Sequence, residues 1–498
     1  MIPVLKLLEK PLEKFRATLG QIRENEKDPE KMKFKEYVAY LLGNLCYYMI
    51  GKMGSDYLLP YYSALGFSGT KAGAMRSACL LFDAVNDPVV ATVIDQRKHT
   101  PNGRFKPYLA KMVPVLALFS VFMFTTPNFS GPSAVVAWCI MTFAIWETLN
   151  TFSGIAFQAI GTVMSLDPDE RARYSTVGKI GFELAGLIPS FIPLLFNPIT
   201  RPRGEGGLGL TQANFYTICA ILFAVMGGAA GMFTKNLKER LVPAKKQEHF
   251  WENFVTFFKN KEFILLWSTN LPQIISSAGA VTTIQFYIHS LGNYSWQSLQ
   301  WNIAGIPNFL AIFLAPYVLK RFRPSRVMLF SNLLNGLCFL VMFFVVKPIG
   351  YASPWGIAMI MFFTTLAWVP GGITEVARNI LQMNTFDYTQ AKTGKRAEAT
   401  SLMMVGMLSK FIGAAAGLLG GMLLDYIGFI PGDTVAQTPY VKDGLFFIFA
   451  LFPAVGALLS SIPLFFYKLE GKEYERRMAE LAQRNEAIAV MEMEMAQR

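Results

Sequence analysis

The chain is built from long, mostly apolar stretches that recur along its whole length, and this feature constrains its fold more than any other. Runs such as Met112–Pro127, Phe215–Phe233 and Leu445–Phe466 approach the roughly 20 mostly apolar residues that carry a helix across a hydrocarbon core of about 30 Å. Twelve can be placed, at 37–62, 69–95, 107–128, 132–164, 174–199, 211–234, 262–290, 296–319, 327–349, 354–386, 398–428 and 441–467. Composition points the same way. Of 498 residues 53% are hydrophobic and only 16% charged, against about 25% charged in soluble domains. The reading is an all-α polytopic membrane protein with twelve transmembrane helices. A soluble enzyme, a nucleic-acid binder and a secreted domain are excluded.

The five cysteines fall inside spans, so no disulfide framework is expected, and the three histidines are scattered, so no metal cluster is expected either. No cofactor is called for. The formal net charge is +12, and its placement carries the information. Twenty Lys and Arg lie in the connections that follow even-numbered spans, against four on the other side. Positive loops stay in the cytoplasm, which predicts a plasma-membrane protein with both termini cytoplasmic. The longest basic connection, 235–261, divides the chain into a six-helix bundle at 37–234 and another at 262–467. Residues 1–36 form a charged leading segment without the apolar core of a signal peptide. Val4–Leu19 has helical apolar spacing, fitting an interfacial helix or a solvated one. Residues 468–498 form a tail with helical character from Glu470.

A basic connection follows the second span of each half, at Gly103–Lys106 and at Lys320–Arg326. Duplicated transporters share this plan and bind substrate near the midplane. An ionisable group at bilayer depth costs about 2.5–3.5 kcal/mol on insertion scales, so each one is a functional candidate. Asp95, Asp425 and Lys71 lie near span ends, where snorkelling to the interface suffices. Deeper lie Lys52, Asp56, Arg76, Asp83, Asp87, Glu147, Lys179, Glu183, Glu375, Arg378 and Lys410. Arg76, Asp83 and Asp87 share one helical face. Two carboxylates one turn apart cannot both stay ionised in low dielectric without a cation, which is the physics of a coupling-ion site. Lys179 with Glu183, and Glu375 with Arg378, are spaced to neutralise one another within their own helices. Lys410 has no acid within a turn, so its partner must come from another helix, with Asp83 or Asp87 the natural candidates.

Three motifs then carry a resemblance. They are FDAVNDPVVATVIDQRKHTPNGRFKPYL (Phe82–Leu109), SLDPDERARY (Ser165–Tyr174) and FDYTQAKTGKRAEATS (Phe386–Ser401). The chain resembles the glycoside–pentoside–hexuronide:cation symporters, the family of melibiose permease, within the major facilitator superfamily. The resemblance implies a major-facilitator fold and secondary active symport of a glycoside, pentoside or hexuronide with Na⁺ or H⁺. It places cation-site carboxylates at Asp83 and Asp87, with Asn86 and Thr151 beside them as possible Na⁺ ligands, a family tryptophan at Trp146 and a neighbouring lysine at Lys410. Glu147, four residues before Thr151 on the same face, replaces a family glycine and adds a third acid. Such crowding favours a retained proton and tilts the expectation toward H⁺, although Thr151 and Asn86 also suit Na⁺.

The sugar side departs from that relative. Its two sugar-binding aspartates fall at about Tyr47 and at Gly154, its helix-five arginine at Lys179 and its sugar-stacking tryptophan at Gln158. Galactoside specificity is therefore not carried over. Tyr47, Tyr48, Asn150, Gln158, Lys179 and Glu375 are left as candidates for a rebuilt polar and aromatic pocket. The expected partners are a small-molecule sugar and the bilayer, for a monomeric carrier. The competing readings are a carrier of a lysophospholipid or other amphiphile and a non-transporting membrane sugar sensor.

Overall fold

The structure, a computed structural model, describes residues 31–96, 103–129, 131–165, 168–240, 261–393, 398–432, 436–480 and 483. The expected helix at Val4–Leu19, the central loop from 241 to 260, residues 394–397 of the third motif and the tail beyond 480 lie outside the described residues, Gln483 apart. Every expected span is helical where described. Span one is Phe34–Ala64, span two Gly69–Gln96, span three Lys106–Met123, span four Pro132–Val163 and span six Gln212–Met232. Span nine is Pro324–Ile349 and span eleven Glu398–Tyr426. The remaining five are interrupted. Span five runs as Pro168–Leu187 and Ile192–Thr200, span seven as Lys261–Ser268 and Gln273–Gln285, and span eight as Ser295–Ile312 and Ala315–Arg321. Span ten runs as Pro354–Trp368 and Gly371–Thr393, and span twelve as Pro439–Ser460 and Ile462–Phe466.

Proline explains the interruptions. Pro189, Pro272, Pro316, Pro370 and Pro463 sit at these breaks, and each lacks a backbone N–H and clashes with the carbonyl four residues earlier. Among the described residues nine helices are long and apolar enough to cross a bilayer, or ten when the two pieces of span eight, bent by 58°, count as one. Span one, interrupted by Lys52 and Asp56, and span seven, broken at Thr269–Pro272, fall short of that measure. Large apolar side chains such as Phe330, Phe344, Phe362 and Phe465 are exposed, as a surface in contact with acyl chains requires.

The chain divides into two compact units, Met1–Tyr61 with Phe82–Lys245, and Tyr62–Leu81 with Lys246–Arg498. This differs from the expected bundle boundaries in one respect: the first half of span two belongs to the second unit. Small residues are the reason. A Cβ on Gly73 would lie 2.5 Å from the Gly417 carbonyl, Gly69 meets Gly421 in the same way, and Ser77 donates to the Ala414 carbonyl at 2.6 Å. A small residue every fourth position lets span two and span eleven approach backbone to backbone. Asp425 completes this crossing, accepting from the backbone N–H groups of Gly69 and Thr70 at 2.7 and 2.8 Å. Asp425 is exposed near the end of its span, as expected, and it also caps a helix.

Each unit carries the same pair of ionic ties at the connection that follows its second span. In the first, Glu239 accepts from the backbone N–H groups of Arg104, Phe105 and Lys106 at 2.7–2.8 Å, at the start of span three. In the second, Glu470 accepts from the Ser325 N–H at 2.9 Å and from its hydroxyl, at the start of span nine. A carboxylate there meets unpaired first-turn donors and the positive end of the helix dipole. Arg240 forks onto Glu36 at 2.8 and 3.0 Å, at the head of span one, and Arg477 reaches Glu262 at 2.7 Å, at the head of span seven. The two halves thus repeat their charge design as well as their helices. Within the loop motif Ser165–Tyr174, buried Glu170 accepts from the Met32 N–H and the Ser165 hydroxyl at 3.0 and 2.6 Å, tying the chain that enters span one.

Removing the charge from Glu239 tests this design. Hydrogen bonds to a charged group contribute about 1.5–3 kcal/mol net. Glu239→Gln should lower the melting temperature in detergent by about 3–6 °C, measured by intrinsic fluorescence on the purified carrier. An unchanged melting temperature would show that the cap does not hold span three.

Candidate functional site

In the first unit, span two and span four meet along a line of polar side chains. The Thr151 hydroxyl donates to Asp87 Oδ1 at 3.1 Å and accepts from Asn86 Nδ2 at 3.1 Å. Asn86 Oδ1 accepts from the Thr148 hydroxyl at 3.4 Å. Asp83, one turn before Asp87, is 6% exposed, Thr151 5% and Glu147 7%. Asn150 Nδ2 donates to Glu147 Oε1 at 3.3 Å. The spacing 83, 86, 87 on span two and 147, 148, 151 on span four puts one face of each helix against the other. The site thus holds Asp83, Asn86, Asp87, Glu147 and Thr151 within two adjoining helices. Among the described residues no three or more His, Cys, Asp or Glu side chains gather into a metal-ligand group. The oxygens that could receive a cation are therefore carboxylate, amide and hydroxyl together. Trp146 points away, donating to the Ser120 hydroxyl at 2.8 Å and packing on Gly54.

Span one lies alongside. Asp83, Asp87 and Glu147 are all within electrostatic range of the Tyr47 hydroxyl. The Tyr47 and Tyr48 rings meet edge to face at 5.0 Å, and Tyr48 meets Phe182 at 4.5 Å. Lys179 Nζ lies 4.3 Å from the Phe182 ring centre and 2.9 Å from Glu183, so Lys179 does pair within its own helix. Lys52 does likewise with Asp56 at 3.3 Å. Gln158 is exposed. The other two candidates, Glu375 and Lys410, belong to the second unit. There one expectation fails: Glu375 and Arg378, one turn apart on span ten, form no ion pair among the described residues, and Arg378 Nε is buried without a hydrogen-bond partner.

A family model described as MFS/sugar transport protein matches residues 39–471. The chain belongs to that family. Relatives match along most of this carrier. The uncharacterized symporter YnaJ of Bacillus subtilis is 25% identical over 469 residues, covering 92% of this chain and 96% of its own. The glucuronide carrier protein homolog of Escherichia coli is 24% identical, covering 91% and 97%. Among solved structures, a bacterial homolog to the human lysosomal transporter Spinster superposes with a TM-score of 0.61 at 14% identity, covering 90% of this chain and 99% of that one. The carrier is therefore a multi-pass membrane protein with a major-facilitator fold and a sugar-type transporter, not an enzyme.

Tyr47 and Gly154, where the resemblance to melibiose permease places two acids, lie against each other. A Cβ on Gly154 would overlap the Tyr47 phenol, so the tyrosine on span one occupies the space a side chain on span four would need. What sequence reasoning missed lies in the second unit, where uncharged polar residues recur at helical spacing inside apolar spans, Gln297, Gln300 and Trp301 on span eight and Asn332 and Asn335 on span nine. Attention to charge alone passes over them. Overpacking costs about 1–3 kcal/mol, so Gly154→Asp should reduce the monodisperse yield in detergent several-fold, and adding Tyr47→Ala should restore it. Equal yields for the single and double variants would show that the two positions are independent.

Proposed function

We propose that the carrier is a cation-coupled symporter that imports a glycoside, pentoside or hexuronide by alternating access, with H⁺ as the coupling ion. The observation that carries this reading is the hydrogen-bonded line Asp87–Thr151–Asn86 beside buried Asp83. Carboxylates are expensive at bilayer depth, and a helix pair that keeps two of them one turn apart must offer them a positive charge for part of its cycle. Thr151 and Asn86 orient the Asp87 carboxylate so that the cation finds a formed site. Glu147 adds a third acid in the same helix pair, and its like charge favours a carboxyl that keeps its proton. The similarity to a symporter and to a glucuronide carrier homolog supports sugar symport. The basic connections between spans support a cytoplasmic position for both termini.

Binding of the cation favours the arrangement that binds sugar, and by linkage the sugar favours the arrangement that binds the cation. Neither alone lets the halves exchange access. Two measurements in proteoliposomes test the proposal. Asp87→Asn should drop steady sugar accumulation to the equilibrium level while leaving sugar counterflow within about threefold of wild type; full accumulation by the variant overturns the assignment of Asp87. In the wild type, uptake at fixed membrane potential should rise with an inward proton gradient and ignore sodium. Dependence on sodium alone would replace H⁺ by Na⁺ at the same site.

A further inference from the structure

The second unit contains a cavity of about 540 Å³ lined by spans seven to ten and twelve, within the roughly 300–1,000 Å³ of small-molecule sites. Its lining is unusual for a membrane interior. Gln297, Gln300, Asn332 and Asn335 present amides, and Trp301 and Trp368 present indole rings. Gln297 is 1% exposed and Ser460 3%, yet Gln297 Oε1 and the Ser460 hydroxyl have no hydrogen-bond partner. The great majority of buried polar groups are paired, and two orphans in the lining of one cavity point to a ligand that pairs them. Gln300 is held in place, its Oε1 accepting from the buried Tyr287 hydroxyl at 2.6 Å.

The cavity also has a charge to satisfy. Arg378 lines it, makes no ion pair among the described residues and has a buried Nε with no acceptor. Glu375, one turn earlier on the same helix, lines it too and does not reach Arg378. The wall breaks between Trp368 and Gly371, where the Asn308 side chain donates to the Trp368 carbonyl at 2.7 Å, and interrupted helices are where transporters place substrate sites. A guanidinium fork matches the planar or tetrahedral oxygens of an acid group. Amides match ring hydroxyls, and indole rings offer apolar faces to ring C–H groups.

We infer that this cavity is a sugar subsite selective for a monosaccharide bearing an anionic substituent, carboxylate or sulfonate, with Arg378 receiving the anion. This rests on the sugar-symport reading and adds its substrate class. Glu375 accepts hydroxyls and sets orientation, because the anionic end of the sugar must avoid it and meet Arg378. Gln297 and Ser460 gain the partners they lack when a polyol enters.

The test is competition in counterflow by the purified, reconstituted carrier, with glucuronate, a 6-sulfonated glucose and neutral glucose as competitors. Wild type should prefer the two anionic sugars. Arg378→Gln should reduce that preference by about ten- to hundredfold, and an unchanged melting temperature in detergent certifies the fold. Arg378→Lys, which keeps the charge and loses the fork, should fall between them. Preference for only one of the two anions identifies the acid group that fits. The inference is overturned if wild type does not prefer anionic sugars, or if Arg378→Gln weakens neutral and anionic sugars alike. Exchange of neutral sugars with no anionic preference would leave the symport reading standing without this subsite; no exchange of any sugar would remove both.

Discussion

A charged or hydrogen-bonding group inside a bilayer finds no water to answer it, so every such group must be met by protein, by an ion or by substrate. This constraint organises the whole carrier. Several of its charges are answered locally: Lys52 by Asp56, Lys179 by Glu183 and, at a span end, Asp425 by the backbone donors that open span two. Once those are set aside, two places stand out. One is the acid-rich face shared by spans two and four. The other is the amide-lined cavity around Arg378.

The internal repeat explains how each half stays rigid enough to present such a site. Glu239 and Glu470 occupy equivalent positions beyond the sixth span of each half, and each closes the head of that half's third span. Arg240 and Arg477 then bind acids at the head of the first span. The pattern of ties thus repeats in the two halves while their interiors differ. The first unit presents carboxylates and hydroxyls, which suit a small cation. The second presents amides, indoles and a guanidinium, which suit a substituted ring. A symporter needs both kinds of chemistry, linked so that each ligand changes the affinity for the other.

The membrane class and the spans were legible in the sequence, because runs of apolar residues are imposed directly by bilayer thickness. The association of Asp83, Asn86, Asp87 and Thr151 was legible as well, through helical spacing and family motifs. The capping acids were not. Glu239 lies in a loop 133 to 135 residues from the amides it binds, and nothing local announces that pairing. The Glu375–Arg378 spacing was misleading for the opposite reason: i,i+3 spacing permits an ion pair without requiring one, and side chains that line a cavity can face it instead. Tyr47 and Gly154 each read as a lost acid, and nothing local announces that the Tyr47 phenol fills the space beside Gly154.

The central claim is that sugar movement and cation movement are one event, and reciprocity gives its most direct test. Purified carrier is reconstituted in liposomes with no ion gradient and a pH-sensitive dye inside, and a transported sugar is added outside. The account predicts that the lumen acidifies as sugar enters, that the change scales with the sugar gradient, and that a proton ionophore abolishes it. Sugar entering to equilibrium with no movement of protons, and none of sodium when a sodium dye replaces the pH dye, would make the protein an uncoupled facilitator and contradict the account.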